Sequence, residues 1–454
     1  MADLKLTLTF CGGTGTVTGA NFLLDDGTTK ILVDCGLEQG GRFVENHNHD
    51  PFPYNPRDIA ALLVTHTHLD HIGRIPKLVK DGFNGPIFST APTRALAGIM
   101  LPDALSVMTQ EAASGEEPLY SSADIEKALS LWREIPYHEV ASLVGNFSVR
   151  LKNAGHILGS AIAEIQHGDR KIAFTGDLGN SPSPLLPDCE TVTDADYIVM
   201  ESVYGDRNHE GREERRDALE DAIEDTVRRG GELLIPAFSV ERTQILLYEI
   251  NNLVEESKIP MVPVFLDSPL AIKATAIYER FNSFLKDEAR AQIEKGDDIF
   301  SFPQLFFTEK RKDSQRIWHT KGPKVIIAGS GMSMGGRVLS HERRILPDSK
   351  STILLVGYQA PGTIGRRIQD GAKEISINGE KIAVRAKVAS IHGYSAHKDS
   401  EGLIAFGEAA SEKVKRVYVT MGEPKASTYL AQRLRDYVGV NAVVPTLGDT
   451  VELN

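Results

Sequence analysis

Four side chains able to bind a metal ion crowd one short stretch of the chain, His66-Thr67-His68-Leu69-Asp70-His71. The apolar run Ala60 to Val64 comes directly before it and predicts a buried strand. Imidazole nitrogens and carboxylate oxygens are the usual protein ligands of Zn²⁺. An extended turn of this length would aim alternate side chains at two neighbouring points, so the spacing predicts two metal ions. A lone His in a turn would more simply cap a helix, but four such side chains after a strand favour a metal site.

Other polar side chains fall at the ends of predicted strands. Asp34, Asp177 and Glu201 each follow an apolar run, and His156 lies in a glycine-rich turn. A sheet that presents its strand ends on one rim would gather these side chains and the histidine stretch into one site. Asp34 is suited to orient a ligating His, although a turn-forming Asp before Gly is an equal alternative.

The composition is that of an ordinary globular protein. At 454 residues the chain exceeds the size of one core, so two domains are expected. The net charge of −12 disfavours a generally basic surface, so any nucleic-acid site must be local. An odd, scattered set of cysteines argues for a reducing compartment, which we take to be the cytoplasm. The sequence shows neither a secretory signal nor an apolar run near the roughly 20 residues of a membrane span, so no membrane partner is expected.

The sequence pattern also predicts the first strands and the connection between them. Residues 4–10 and 21–34 each read as a strand, and the glycine-rich stretch Cys11 to Gly19 lies between them. That stretch lacks the Lys-Ser/Thr ending of a phosphate loop and no helix follows it, so a hairpin connection is favoured.

From about residue 206, strand-like and helix-like runs alternate, which predicts a parallel α/β sheet. Ligands collect beyond the carboxyl ends of the strands in such sheets. The stretch Gly329 to Gly336 offers backbone N–H groups for a phosphate, although a tight turn is as good an interpretation. Arginines are suited to bidentate contacts with phosphate, but any one of them is more readily a structural ion pair. The candidate phosphate contacts are Arg242, Ser330, Gly331, Arg337, Arg366 and Arg367.

Across essentially its whole length, the chain resembles the β-CASP branch of the metallo-β-lactamase superfamily. That branch includes the cleavage and polyadenylation endonuclease and its bacterial and archaeal relatives. The matching stretches occur in the family's order. They are His66–His71, Ala154–Ser160, Thr175–Asp177, Glu201–Gly205, Asp267–Ala271, Gly357–Arg367 and Ser395–Asp399.

The resemblance implies an α/β fold, in which residues 1–205 and 386–454 form a lactamase-type αββα sandwich and residues 206–385 form an inserted, parallel-sheet β-CASP domain. It also implies two zinc sites. The implied ligands are His66, His68 and His156 for one zinc, Asp70 and His71 for the other, and Asp177 as a bridge. Asp34 matches the family's acidic position behind the ligands. Asp70, Glu201 and His397 are the candidate catalytic residues, with His397 as general acid and Glu201 holding its ring across the domain cleft.

One departure from the family pattern concerns the second zinc. RNA-cleaving relatives have a His before Gly-Glu-Pro, whereas this chain has Met421-Gly422-Glu423-Pro424. A thioether is a poor ligand for Zn²⁺. The second site is therefore expected to be weak or partly filled, with Mn²⁺ as an alternative ion. DNA-processing relatives carry an apolar residue at this position, so DNA stays in consideration.

Three functions follow. The first is a zinc-dependent ribonuclease that cleaves single-stranded RNA internally, with 5′ exonuclease action left open. Two metal ions would supply a nucleophile at neutral pH and relieve charge on the phosphate. The second is a DNA nuclease or another lactamase-fold hydrolase. The third is an RNA-binding protein whose catalysis is attenuated because of Met421. Homodimer formation, the preferred RNA and the physiological target are left open.

Overall fold

The structure, a computed structural model, describes residues 5–40, 47–111, 117–209, 211, 214–360 and 362–454. Leu4, where the first predicted strand begins, and Pro361, in the motif that ends at Arg367, lie outside these residues. The chain divides into two compact units. The first runs to Asn208 and resumes at His397–Asn454, and the second is His209–Ala396. Among the described residues, no helix combines the length and the apolar character needed to cross a membrane.

The described part of the first unit contains two seven-stranded sheets. One has the strand order β22-β1-β2-β3-β4-β5-β6 and the other β21-β20-β11-β10-β9-β8-β7. The strands of the first sheet are β1 Leu6–Phe10, β2 Phe22–Asp25, β3 Lys30–Val33, β4 Ile59–Leu63, β5 Ile87–Ser89, β6 Trp132–Glu134 and β22 Thr450–Leu453. Those of the second are β7 Val140–Ser142, β8 Phe147–Asn153, β9 Ala161–His167, β10 Arg170–Phe174, β11 Tyr197–Met200, β20 Arg416–Val419 and β21 Ala442–Val443.

The inner faces of the two sheets pack on each other. Along β1, Leu6, Leu8 and Phe10 are buried while the residues between them are only partly so, which is the alternation of a strand with one core face. Aromatic rings join the sheets: the ring centroids of Phe10 and Tyr418 are 5.3 Å apart. Helices cover the outer faces, and each of these contacts has its own hydrophobic cluster. The predicted αββα sandwich is the observed one.

The single strand predicted over residues 21–34 is wrong, because β2 and β3 form an antiparallel hairpin there. The turn between them is built around Asp26, whose Oδ1 accepts the backbone N–H groups of Thr28 and Thr29 at 2.9 and 2.7 Å. Gly27 supplies a positive φ of 85°. An Asp-Gly pair between apolar runs is a strong hairpin signal, and here it prevails over the continuous β pattern. The antiparallel pairing of β1 with β2 agrees with the predicted hairpin connection at Cys11–Gly19.

The second unit is built on a six-stranded sheet with the order β14-β13-β15-β12-β16-β19. Every pair of neighbours in it is parallel, as the alternation of strands and helices predicts. A separate hairpin joins β17 and β18. The strands are β12 Glu232–Pro236, β13 Val264–Asp267, β14 Leu305–Phe307, β15 Lys324–Ala328, β16 Thr352–Val356, β17 Glu374–Ile377, β18 Glu380–Ala383 and β19 Lys387–Ile391. Strand β19 begins after residue 385 and belongs to this unit, so the compact unit is longer there than the predicted insert, whose boundaries stay a prediction.

The α-helices of the first unit are Leu69–Ile72, Ile75–Lys80, Ala91–Glu111, Ser122–Ser130, Ser400–Ala409 and Pro424–Arg433. Those of the second are Arg215–Arg229, Arg242–Glu255, Pro269–Arg280, Asp287–Glu294, Arg311–Ile317, Val338–Ile345 and Ile364–Gln369. The short helices His47–His49, Pro56–Asp58, Asn282–Phe284 and His392–Tyr394 are 3₁₀, and Leu434–Val438 is a π-helix. In the first unit, the shortest α-helix, Leu69–Ile72, matters most for the site, because it carries Asp70 and His71.

Candidate metal centre

The histidine stretch begins three residues after the end of β4 and has two conformations. His66 and His68 project from the non-helical segment that follows the strand, while Asp70 and His71 belong to the single helical turn Leu69–Ile72. The backbone N–H groups of His71 and Ile72 both donate to the carbonyl of His68, at 2.9 and 3.0 Å. The expectation of six extended residues is therefore wrong, since this helical turn, rather than simple alternation, aims Asp70 and His71.

Two glycines let the loops around the site approach closely. A Cβ atom on Gly36 would lie 1.5 Å from the carbonyl oxygen of Asp70, and one on Gly179 would lie 2.0 Å from the carbonyl oxygen of Gly155. Any side chain at Gly36 or Gly179 would push these loops apart, because the atoms it would meet are backbone atoms. Glycine next to Cys35 and Leu178 thus brings Asp34 and Asp177 within reach of the histidines.

His66, His68, His156 and Asp177 form one group of donor atoms. The Nδ1 atom of His68 lies 3.1 Å from Nε2 of His66 and 3.1 Å from Nε2 of His156. Oδ2 of Asp177 lies 3.4 and 3.5 Å from the same two Nε2 atoms. Three of the four residues are buried, and His68 is partly buried.

Asp70, His71 and Asp177 form a second group. Nε2 of His71 lies 3.3 Å from Oδ1 of Asp177 and 4.0 Å from Oδ2 of Asp70. Asp177 thus offers one oxygen to each group, which is the arrangement expected of a bridging carboxylate. The side chain of Asp70 is the more exposed member, at 17%, whereas those of His71 and Asp177 are almost fully buried.

The donor atoms fit metal ions. Ligand atoms about 2.0–2.1 Å from a tetrahedral Zn²⁺ lie roughly 3.3–3.4 Å apart, close to the distances in the first group. Nε2 of His71 and Oδ1 of Asp177 are buried without a hydrogen-bond partner. A buried polar atom without a partner is costly, and a metal ion shared by these two atoms would remove that cost. The donors, nitrogen and carboxylate oxygen only, are those that zinc and similar divalent ions take.

The charges in the cluster oppose each other strongly. Burial lowers the pKa of His68 and of His156, and neighbouring imidazoles lower it further, so both rings are held neutral and able to bind a metal. Burial would raise the pKa of Asp177, but the rings of His71 and His66 hold it well below its usual range. Burial also raises the pKa of Asp70. The neutral rings of His68 and His156 and the ionised carboxylate of Asp177 are in the forms that bind metal ions.

Asp34 lies behind the second group and orients His71. It follows β3 with a positive φ of 58°, a conformation that Asp tolerates better than most residues. Its Oδ2 accepts Nδ1–H of His71 at 2.7 Å, which leaves Nε2 of His71 toward Asp177. Thr65 also donates to this carboxylate, through its hydroxyl at 2.8 Å and its backbone N–H at 2.8 Å. The sequence motif did not single out Thr65; the only signal was a hydroxyl residue between an apolar strand and the first His.

Glu201 and His397 lie beside the first group and within one unit, so the expectation that they meet across a domain cleft is wrong. Nδ1 of His397 is 3.3 Å from Oε1 of Glu201 and 3.9 Å from Oδ2 of Asp177. The backbone N–H groups of Leu178 and Val203 donate to the Glu201 carboxylate. Burial alone would lower the pKa of His397, but the charge and hydrogen bond of Glu201 and the charge of Asp177 raise it to about 9.

Met421 is 2% exposed and belongs to the hydrophobic core between the sheets. A Cβ atom on Gly13 would lie 2.6 Å from the Met421 sulfur, so the thioether covers the glycine-rich turn. The backbone at Met421 has a positive φ of 47°, and its N–H donates to the carbonyl of Gly13 at 2.7 Å. Met421 therefore packs in the core in this structure, and the weak second metal site expected from it stays a prediction.

The candidate phosphate contacts lie in the second unit and differ in how they are engaged. Arg337 donates to Asp267 at 2.6 Å and to two backbone carbonyls, so its guanidinium is committed to the fold. Arg366 pairs with Asp370. Arg242 is buried, with its guanidinium carbon 6.0 Å from the centre of the Tyr394 ring. Ser330 is partly buried, Gly331 is buried and Arg367 is exposed. For Arg337 and Arg366 the structural alternative, an ion pair, is the observed arrangement.

An αββα sandwich whose loops hold a buried His and Asp cluster defines the class of metal-dependent hydrolases. Three family models match the chain: a metallo-β-lactamase superfamily domain over residues 22–199, a Beta-Casp domain over 243–368, and a Zn-dependent metallo-hydrolase RNA specificity domain over 381–445. The middle match falls inside the predicted insert.

Similar proteins narrow the class to a family. A ribonuclease of Thermus thermophilus is 38% identical over 394 residues, covering 87% of this chain and 88% of the relative. A transcription termination factor of Methanosarcina mazei is 32% identical over 467 aligned positions, covering 99% of this chain and 72% of the relative. This chain belongs to the β-CASP family of metallo-β-lactamase-fold proteins. The predicted family and fold class are thereby confirmed.

A solved structure has the same fold at low sequence identity. It is the crystal structure of a protein of unknown function from Enterococcus faecalis V583, with a TM-score of 0.57 and 14% identity. The match covers 99% of this chain and 100% of that chain. It supports the fold alone.

Proposed function

We propose that this protein is a zinc-dependent ribonuclease that hydrolyses phosphodiester bonds of single-stranded RNA, chiefly at internal positions. The observation that carries the proposal is the pair of donor groups that share Asp177. Membership of a family of metallo-hydrolases with an RNA specificity domain makes a phosphodiester the best-supported substrate. The choice of RNA over DNA as the substrate is supported by the ribonuclease among the relatives.

In the proposed centre, His66, His68 and His156 would hold one ion, Asp70 and His71 would hold the other, and Asp177 would be shared by the two groups. Zinc fits because the donors are imidazole and carboxylate at tetrahedral spacing, and Mn²⁺ is a candidate for the more open second group. When bound, two such ions supply a nucleophile at neutral pH and relieve negative charge on the phosphate. The protein's own part is to fix the ligands, which the hydrogen bond from His71 to Asp34 does for the second ion.

His397 is the proposed general acid for the leaving oxygen. Its Nδ1 faces the Glu201 carboxylate, so Nε2 is the atom that would give up the proton. Glu201 is itself held by two backbone N–H groups, which fixes the imidazole that it contacts. The raised pKa of His397 keeps the ring protonated near neutral pH, as a proton donor requires.

The candidate phosphate contacts in the second unit are not equally well supported. Arg242, Ser330, Gly331 and Arg367 stay candidates, and Arg366 would have to leave Asp370 to serve. Arg337 is the weakest candidate, because three hydrogen bonds already hold its guanidinium.

We also place the protein in the cytoplasm, which its three free cysteines support. Homodimer formation and 5′ exonuclease action stay predictions.

The test is a paired cleavage assay on RNA and DNA oligonucleotides of identical sequence, labelled internally and at the 5′ end, with zinc or manganese supplied. We expect the RNA to be cut internally, the DNA to stay intact, and a chelator to stop the reaction. The control is Asp177→Ala prepared in parallel, which removes contaminating nuclease from consideration. Cleavage of DNA would replace the proposal by the second function, which the apolar Met421 keeps in consideration. Binding of RNA without any cleavage would replace it by the third.

A further inference from the structure

Thr65 lies between the two donor groups and contacts the outer side of each. Its hydroxyl oxygen is 2.8 Å from Oδ2 of Asp34, 3.2 Å from Nδ1 of His66 and 3.5 Å from Nδ1 of His71. All four residues are buried, at 1% exposure or less. Asp34 contacts His71 directly, so the Thr65 hydroxyl is the group through which Asp34 also reaches His66.

The positions of the protons determine which atom donates and which accepts in each of these hydrogen bonds. Nε2 of His66 faces the donor group, 3.1 Å from His68 and 3.4 Å from Asp177, so a metal-binding His66 carries its proton on Nδ1. That N–H needs an acceptor, and the Thr65 oxygen lies at 3.2 Å. The single hydroxyl proton of Thr65 is directed to Asp34, because Nδ1–H of His66 already donates to the hydroxyl oxygen and Oδ2 of Asp34 lies at 2.8 Å as the acceptor. The chain of hydrogen bonds is therefore His66 to Thr65 to Asp34.

The position of the Thr65 hydroxyl is fixed by its surroundings. The Thr65 N–H donates to Oδ1 of Asp34, and the Thr65 carbonyl accepts the N–H of Ala161 at 2.9 Å. A Cβ on Gly176 would lie 2.7 Å from Cβ and 2.8 Å from the hydroxyl oxygen of Thr65. Gly176, whose φ is 53°, thus makes room for Thr65 beside the residue that bridges the two groups.

We propose that Thr65 is a positioning residue that extends the control of one carboxylate, Asp34, from the second metal site to the first. The hydroxyl oxygen accepts a hydrogen bond from Nδ1–H of His66. This bond holds the ring in the tautomer whose Nε2 can bind the metal. Outer partners of metal-bound histidines act in this way in general, and losing one costs about 10- to 100-fold in metal affinity. The inference rests on the proposed metal function of the site.

Zinc affinity measured on single-site proteins tests the inference without any RNA. Asp70→Ala removes a ligand of the second site only, so that this protein binds zinc through its three histidines. In that background we compare Thr65→Val, which keeps the shape and removes the hydroxyl, with Thr65→Ser, which keeps the hydroxyl. Competition with a chelator gives the dissociation constant, and thermal unfolding of the metal-free proteins checks the fold. The same Thr65 variants in the His156→Ala background report on the second site.

We expect Thr65→Val to weaken first-site zinc binding by about 10- to 100-fold, Thr65→Ser to restore most of it, and the second site to change little. Equal affinity of the Val variant and the parent background would overturn the inference. So would a Ser variant as weak as the Val variant, because packing against Gly176 would then be the role of Thr65. If the Asp70→Ala protein binds no zinc at all, the proposed metal centre itself is wrong and the inference falls with it.

Discussion

Met421→His would place an imidazole where RNA-cleaving relatives have one, and the backbone is suited to accept it. The φ of 47° at this position is unfavourable for Met, whereas His is among the residues enriched at positive φ. The residues that Met421 contacts also connect it to the second group of donor atoms. A Cβ on Gly13, which the Met421 sulfur covers, would lie 3.3 Å from Cα of Ala20, and the Ala20 N–H donates to the carbonyl of Asp70 at 2.8 Å. We therefore expect the new imidazole to add a ligand to the group of Asp70, His71 and Asp177.

The size of the effect can be worked out for stability. Burying a side chain such as Met contributes about 1.5–3 kcal/mol, and Met421 is 2% exposed, so the metal-free variant should lose on the order of 1–2 kcal/mol in free energy of unfolding. A metal ion that binds only the folded state returns about 2.7 kcal/mol at a hundredfold excess over its dissociation constant. The variant should therefore be less stable than the parent without metal and at least as stable with it.

Thermal unfolding with and without zinc, together with zinc content by mass spectrometry, measures both effects. Met421→Asn is the matched control, because Asn also accepts positive φ and is polar but lacks an imidazole. The His variant should carry nearer two zinc ions than the parent does and gain ribonuclease activity. If the His and Asn variants have the same zinc content and the same response to zinc, position 421 does not reach the second site and the reasoning fails.

Three further predictions concern single side chains. Asp177→Ala should stay folded and lose bound zinc and RNA cleavage together, since Asp177 contributes to both groups; activity with full zinc content would contradict its bridging role. His397→Ala should keep its zinc and lose about 10²–10⁴-fold in cleavage rate, whereas loss of zinc would identify His397 as a ligand. Asp267→Asn should lower the free energy of unfolding at neutral pH by about 2 kcal/mol, because hydrogen bonds from His341, Ser314 and Arg337 outweigh burial and hold the pKa of Asp267 at about 2. This stabilisation is complete above the unfolded pKa of about 4 and is lost as the pH falls toward 2, so denaturation curves of parent and variant should converge there; a difference independent of pH would contradict it.

The sequence predicted which side chains the fold brings together, because their chemistry is rare; that they bind metal ions stays a prediction. Histidines at 66, 68 and 71 with an Asp between them have few structural uses, and the structure brings them within reach of His156 and Asp177. The ends of strands were also readable, since apolar runs that stop at a polar residue mark them. Their common location in the first unit follows from the αββα packing.

What the sequence did not predict depends on contacts between distant segments. The role of the Thr65 hydroxyl follows from its 2.8 Å approach to Asp34, which lies 31 positions earlier in the chain, and no local pattern records that approach. The helical turn at Asp70 and His71 is a single turn, too short for periodicity to reveal. Arg337 looked like a phosphate contact by residue type, but its partner Asp267 is 70 positions away.

Titration of the metal-free protein with zinc, with the rate of RNA cleavage followed at each equivalent, tests the two-ion ribonuclease most directly. The first equivalent should fill the site of His66, His68 and His156 and give little activity, because the second group has fewer ligands and binds more weakly. Cleavage should then rise steeply as the second ion binds, and Asp177→Ala should remain inactive throughout. Full activity at one equivalent of zinc, or undiminished cleavage in the presence of a chelator, would contradict the proposed mechanism.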